Sequence, residues 1–191
     1  PVKYVVYSHH HWDHASGGDV FADTAKFVGH ANMLTHLAMP PSSTKLTQVV
    51  GDFAPVAKLD ANGNGVIERA EAPKDVPFDG YDANRDGVLS GAEVMRGPVR
   101  FVRPPDVTYK DKYQIRLGGK RVDLSWTGEM NHSMDSSLIT FPDDGVLFLV
   151  DFVSFRRLPN REMDYELGHY KGWRTAIQNA EKLAAGFKFV V

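Results

Sequence analysis

The chain has 191 residues, 42% of them hydrophobic, and a formal net charge of −2. That size and composition admit one full hydrophobic core or two small ones. The 22 basic residues form no stripe or tail of the kind that grips nucleic acid, the longest apolar run (146–150) is strand-sized and not membrane-spanning, and the absence of cysteine leaves only nitrogen and oxygen donors for any metal.

The apolar run at 2–7 predicts a strand, and it leads into Ser8-His9-His10-His11-Trp12-Asp13-His14. Four imidazoles and a carboxylate stand together there. Strand alternation sends His9 and His11 to one face. The chain then turns at Trp12, and residues 13–18 read as the start of a helix that brings Asp13 and His14 in from a second direction. Two pairs of ligands converging from two elements suit a two-metal site. The interrupting Trp12 and Asp13, and the strand before them, distinguish the run from a purification tag. Downstream, a short helix is predicted over 17–22, a strand over 25–28 and a helix over 31–39 that stops at Pro40-Pro41. Alternating strands and helices at this spacing predict an α/β layered fold. Residues 41–44 read as a loop.

From about 55 to 95 the composition turns rich in Asp, Asn, Gly and Ala, which predicts an inserted module that divides the core into 1–54 and 96–191. Asp60, Asn62, Asn64, Glu68 and Glu71 supply side-chain oxygens at positions 1, 3, 5, 9 and 12 of a twelve-residue calcium loop, with Gly65 at position 6 and the Val66 carbonyl at 7. Asp82, Asn84, Asp86, Ser90 and Glu93 repeat the pattern, with Gly87 and the Val88 carbonyl in the same places. Ile67 and Leu89 hold the matching position 8, where paired loops join through a β-bridge. Only residues 72–81 separate the loops, and Pro73 and Pro77 interrupt them, so two full helices do not fit. The expectation is a compact EF-hand pair holding two Ca²⁺ ions for stiffness, without the long helices of a sensor.

After an irregular stretch at 98–105, strands are predicted at 113–117 and 120–126 around Gly118-Gly119, and at 137–141 and 146–152 around Pro142-Asp143-Asp144-Gly145. A helix is predicted over 164–185, with Tyr165, Trp173, Ile177 and Leu183 apolar and Gly186 as its C-cap. A buried strand is expected at 187–191. Two further candidate ligands stand in this half. His132 lies in a loop between strands, and Asp151 ends a very apolar strand where its charge needs a metal or a salt bridge to Arg156 or Arg157.

His9-x-His11-x-Asp13-His14, the His132 loop with Asp135-Ser136 and Asp151 after its strand resemble, in order and context, the metallo-β-lactamase fold superfamily. The resemblance covers essentially all of the chain outside the calcium module. It implies an αββα sandwich with the site at one edge of two sheets. His9, His11 and His132 would bind one metal, Asp13 and His14 the second, and Asp151 would bridge them. Such a dinuclear site, expected to hold zinc but open to iron or manganese, would use a bridging hydroxide to cleave an ester, lactone, amide or thioester. Asp13 would orient or deprotonate the water. A bridging Asp151 fits the lactonase, glyoxalase II and phosphodiesterase branches better than the antibiotic-degrading ones. The family also has several strands before its first motif and a further histidine after its last strand, so the chain is expected to be a shortened domain with an incomplete second metal site; His169 is a poor substitute for that ligand.

Trp12, Phe152, Phe155 and Arg156 are candidates for a pocket taking an apolar substrate with an acidic group, or for core packing. The competing expectation is a calcium-binding module on a non-catalytic core. The expected partner in the first case is a small-molecule substrate, and oligomeric state is open. Calcium loops fill most easily where calcium is abundant, which points to the periplasm or secretion, with the cytoplasm as the alternative.

Overall fold

The computed structural model describes residues 1–128, 131–153 and 169–191. In chain order the elements are β1 (Tyr4–Val6), α1 (Trp12–Ala15), β2 (Lys26–His30), α2 (Asn32–Leu37), α3 (Ala54–Ala57), β3 (Ile67–Glu68), α4 (Phe78–Tyr81), β4 (Val88–Leu89), α5 (Gly91–Arg96), β5 (Val107–Tyr109), β6 (Lys112–Leu117), β7 (Lys120–Trp126), β8 (Ser137–Phe141), β9 (Val146–Phe148), α6 (His169–Ala184) and β10 (Phe189–Val190). They form two compact units, one of residues 1–10, 24–33 and 105–191, the other of 11–23 and 34–104.

The first unit holds both larger sheets. One is parallel, in the order β1-β2-β5, with Val5 opposite Phe27 and Val28 opposite Val107. Central strand β2 is buried from Phe27 to His30, as a parallel strand covered on both faces must be. The other sheet runs β10-β9-β8-β7-β6. Its β6–β7 hairpin turns through Gly118 and Gly119 at φ 58° and 77°, the left-handed pair that a two-residue turn matching strand twist requires. Strand β8 sits centrally, and its alternation divides two layers. Leu138 faces a cluster with Leu147, Leu149, Trp173, Ala176 and Ala180 of the α6 side. Ile139 joins Val28, Tyr109, Ile115 and Leu124 between the two sheets. Helix, sheet and sheet thus stack as the α/β patterning predicts.

Four details depart from the sequence expectation. Strand β5 was not anticipated: it is three residues long, follows Pro104-Pro105, and exists by pairing with β2. Strand β9 stops at Phe148, and the chain bends through a 3₁₀ turn at Val150–Phe152 with Val150 at φ 57°. Strand β10 is an edge with Phe189 and Val190 half exposed, not a buried strand. On α6 the buried face is Trp173, Ala176 and Ala180, while Ile177 and Leu183 are exposed. The predicted start of that helix, with Tyr165, lies outside the described residues.

The second unit has its own core of Leu46, Val49, Ile67, Phe78, Tyr81, Leu89 and Val94. Strands β3 and β4 pair antiparallel, Ile67 opposite Leu89. Helix α5 is capped reciprocally: Glu93 N donates to Ser90 Oγ at 3.3 Å, and Ser90 N donates to Glu93 Oε2 at 2.9 Å. Gly91 packs so tightly that a Cβ would fall 2.4 Å from the Lys45 carbonyl carbon, so only glycine fits.

Candidate metal centre

The first unit positions its donors through backbone anchors. Beyond β1, Tyr7 N donates to Val28 O (2.9 Å) and Ser137 N donates to Ser8 O (2.9 Å), which pins the chain between β2 and β8. His9 follows directly and is buried, with Ser8 Oγ 3.1 Å from its Nδ1. Asp151 is carried into the same place by the turn after β9. A β-branched residue at positive φ is rare, and Val150 adopts it immediately before this carboxylate, where strain is concentrated at sites that must hold a set geometry.

His132 is held by a closed loop between β7 and β8. Thr127 N and Oγ1 both donate to Ser136 O, at 3.0 and 2.9 Å. Asn131 Nδ2 donates to Thr127 Oγ1 (2.8 Å), and Asn131 Oδ1 accepts the His132 N–H (2.7 Å). Trp126 Nε1 and Asn32 Nδ2 both donate to Met134 O. The His132 ring meets Trp173 edge-on with centroids 6.0 Å apart.

These anchors bring His9 Nε2 to 3.9 Å and His132 Nε2 to 3.5 Å from Asp151 Oδ2, with the two imidazole centroids 4.9 Å apart at 80°. Two imidazole nitrogens and a carboxylate oxygen facing one another, with no thiolate, suit a borderline divalent cation such as zinc, iron or manganese. The donor set therefore fits the metal that the resemblance implies.

Sequence reasoning missed the layer behind them. His10 turns away from His9, and its Nδ1 lies 2.9 Å from Asp135 Oδ1, while Ser133 Oγ contacts both Asp135 and His10 Nδ1 (3.2 Å to the latter). Asp135 and Ser133 are each 1% exposed. A carboxylate buried to that extent needs its partners, and here they tie the histidine run to the His132 loop. Period-two alternation was the available signal, since it puts His10 opposite His9.

The second unit begins at His11, one peptide bond from His10. The His11 carbonyl accepts from His14 N and Ala15 N (3.1 and 2.9 Å), which starts α1. On that turn Asp13 Oδ2 lies 3.4 Å from His14 Nε2. Trp12 is exposed there. Phe155, Arg156 and Arg157, and the side chains of Phe152 and His169, lie outside the described residues.

The same unit closes two twelve-residue loops. In the first, Asp60 Oδ1 accepts from Gly63 N (2.8 Å) and Asn64 N (3.1 Å), and Glu71 Oε1 accepts from Ala61 N (3.0 Å) and Asn62 N (3.2 Å). Hydrogen bonding from Glu68, first its side chain and then its backbone, holds the Glu71 carboxyl below the usual range. In the second, Glu93 Oε1 accepts from Ala83 N (2.9 Å) and Asp82 Oδ2 from Gly87 N (3.2 Å). Asp82 is 4% exposed, and its Oδ1 has no hydrogen-bond partner among the described residues.

A family model described as the metallo-beta-lactamase superfamily matches residues 1–185. No curated protein matches the sequence. Among solved structures, a metallo-beta-lactamase from Pontibacter korlensis aligns with TM-score 0.55 at 17% identity over 100% of this chain and 60% of its own. The metallo-beta-lactamase IND-7 gives 0.55 at 15%, with the same coverages. The sec-alkylsulfatase Pisa1 from Pseudomonas sp. gives 0.51 at 14%, over 100% of this chain and 29% of its own. At these identities the likeness is one of fold, and the chain spans 60% of the length of the two lactamases.

Proposed function

The chain belongs to the metallo-beta-lactamase superfamily, and from that premise we propose that it is a metal-dependent hydrolase with a dinuclear, zinc-type site acting on an ester, lactone, amide or thioester. The observation that carries this reading is the convergence of His9, His132 and Asp151. His9, His11 and His132 would hold one ion, Asp13 and His14 the second, and Asp151 both. Bound metal would supply Lewis acidity toward the substrate's carbonyl oxygen and toward water.

The chain's own groups do the rest. Asp13, paired with His14 and half exposed on a short helix, would accept a proton from an attacking water and orient it. The buried His10–Asp135–Ser133 contacts keep the His132 loop in register with the histidine run. Trp12, exposed beside Asp13, offers an apolar wall for substrate.

The twelve-residue loops carry a second, additive reading: two Ca²⁺ ions that stiffen the second unit. Its supporting observation is the buried Asp82 Oδ1 at position 1 of a loop closed by Glu93. Loops of this kind fill readily where calcium is abundant, and we infer a periplasmic or secreted protein.

Metal analysis of the purified protein tests both readings. About two transition-metal ions with two calciums per chain is the expected content, and calcium alone would favour a binding module on a non-catalytic core. His132→Ala is expected to lose bound transition metal and turnover of a thioester, lactone and aryl-ester panel together. Full activity in that variant would sink the hydrolase assignment. Chelating calcium should lower the melting temperature of the second unit, whereas an unchanged melt would remove the calcium reading.

A further inference from the structure

Within the second unit, three arginines converge on one open cleft of about 770 Å³, and nothing in the hydrolase reading uses it. Arg85, Arg100 and Arg103 line it together with Asp19, so guanidinium outnumbers carboxylate three to one in a chain whose net charge is negative. Arg103 Nη1 donates to Asp19 Oδ1 at 3.2 Å. Arg100 is fixed at the wall: its Nη1 donates to the carbonyls of Asp82 (3.0 Å) and Asp79 (3.3 Å), and its guanidinium lies 5.0 Å from the Phe101 ring centroid. Arg85 differs from both, because among the described residues its guanidinium makes no hydrogen bond or ion pair.

Its backbone is also unusual. Arg85 stands at position 4 of its loop with φ 66°, and the first loop has Gly63 at that position with φ 75°. Glycine takes that conformation without penalty, whereas an L side chain is disfavoured there. A strained arginine with no partner, where the sister loop uses glycine, points to a task for the guanidinium. Phe101 and Val20, at 50% and 75% exposure, give the same cleft an apolar lining.

We propose that this cleft is a binding site for a small organic anion. Arg85 and Arg103 would hold its phosphoryl, sulfuryl or carboxyl group, with Arg100 fixed beside them, and Phe101 and Val20 would cover its apolar part. Guanidinium suits such groups because its planar N–H fork matches two oxygens at once. The site is exposed to solvent, so binding weakens as salt rises.

Phenylphosphonate, whose carbon–phosphorus bond resists hydrolysis, is the probe, and the amide NMR shifts of Gly17, Val20 and Val102 are the local readout. Saturable shifts at these amides at low salt are expected in the wild type, lost on adding salt. Arg85→Gly relieves the left-handed strain, so it should melt no lower than wild type while weakening binding about tenfold or more. Arg103→Gln should weaken it as well. Benzenesulfonate and benzoate, run in parallel, identify which anion class the cleft prefers. Equal shifts with neutral benzyl alcohol, no saturable shift in the wild type, or unchanged affinity in Arg85→Gly would each overturn the proposal.

Discussion

Asp135 shows how much of the candidate centre depends on a residue outside its donor set. Its carboxylate is 1% exposed and takes contacts from His10 and Ser133, each the residue directly after a candidate ligand, His9 and His132. Asp135→Asn keeps the shape but removes the charge and one acceptor. Leaving a buried polar group imperfectly paired costs about 1–3 kcal/mol, so that loss of stability is expected in urea unfolding. Because the contact also aligns the His132 loop, transition-metal affinity should fall roughly tenfold, measured by competition with a chromogenic chelator. A variant with wild-type metal affinity would make Asp135 a purely structural residue. His9, His132 and Asp151 stand out in the sequence as candidate ligands, and the fold brings these three together. The Asp135–His10 pair does not stand out, since its partners are separated by 125 residues and only the fold joins them.

Elements were legible where pattern and turn chemistry agreed. The β6–β7 hairpin and the β8 strand fall within a residue of their sequence positions, because Gly118-Gly119 and the alternation of Leu138 with Ile139 admit one register. Strand β5 was invisible because three residues carry no period, and its pairing with β2 is a tertiary effect. Helix α6 is legible as a helix, and its face only in part. Of the expected apolar positions Trp173 is buried while Ile177 and Leu183 are exposed, and the sheet receives instead the small Ala176 and Ala180, which let the helix approach closely. The two kinds of position should separate cleanly in unfolding experiments. Trp173→Ala empties a site that is 1% exposed and should cost about 3–5 kcal/mol. Ile177→Lys, at a position 38% exposed, should stay within about 0.5 kcal/mol of wild type. Equal effects would mean that the helix presents a different face to the sheet.

At the scale of the molecule, buried Tyr109 in the first unit and Tyr81 in the second set an alkaline limit on stability. Burial pushes Tyr81 in the second unit up to about 12, and it does the same to Tyr109 in the first, where the bond from its hydroxyl to Ser137 Oγ partly opposes the shift. An unfolded tyrosine ionises near 10. Between pH 10 and about 12 the unfolded chain has given up these protons while the native chain still holds them, so the native state binds more protons and stability falls as pH rises. Below pH 10 both states are protonated and the contribution is fully present. Each tyrosine is almost wholly shielded from solvent, at 4% and 6% exposure, so screening takes little away. The loss should reach about 2–3 kcal/mol per tyrosine by pH 12. Tyrosinate absorbance followed alongside thermal melting checks this: Tyr81 and Tyr109 should ionise only as their units unfold. Tyr109→Phe should flatten the pH dependence of the first unit and leave that of the second unchanged. If all the tyrosines titrate together near pH 10 in folded protein, neither ring is as enclosed as its packing implies.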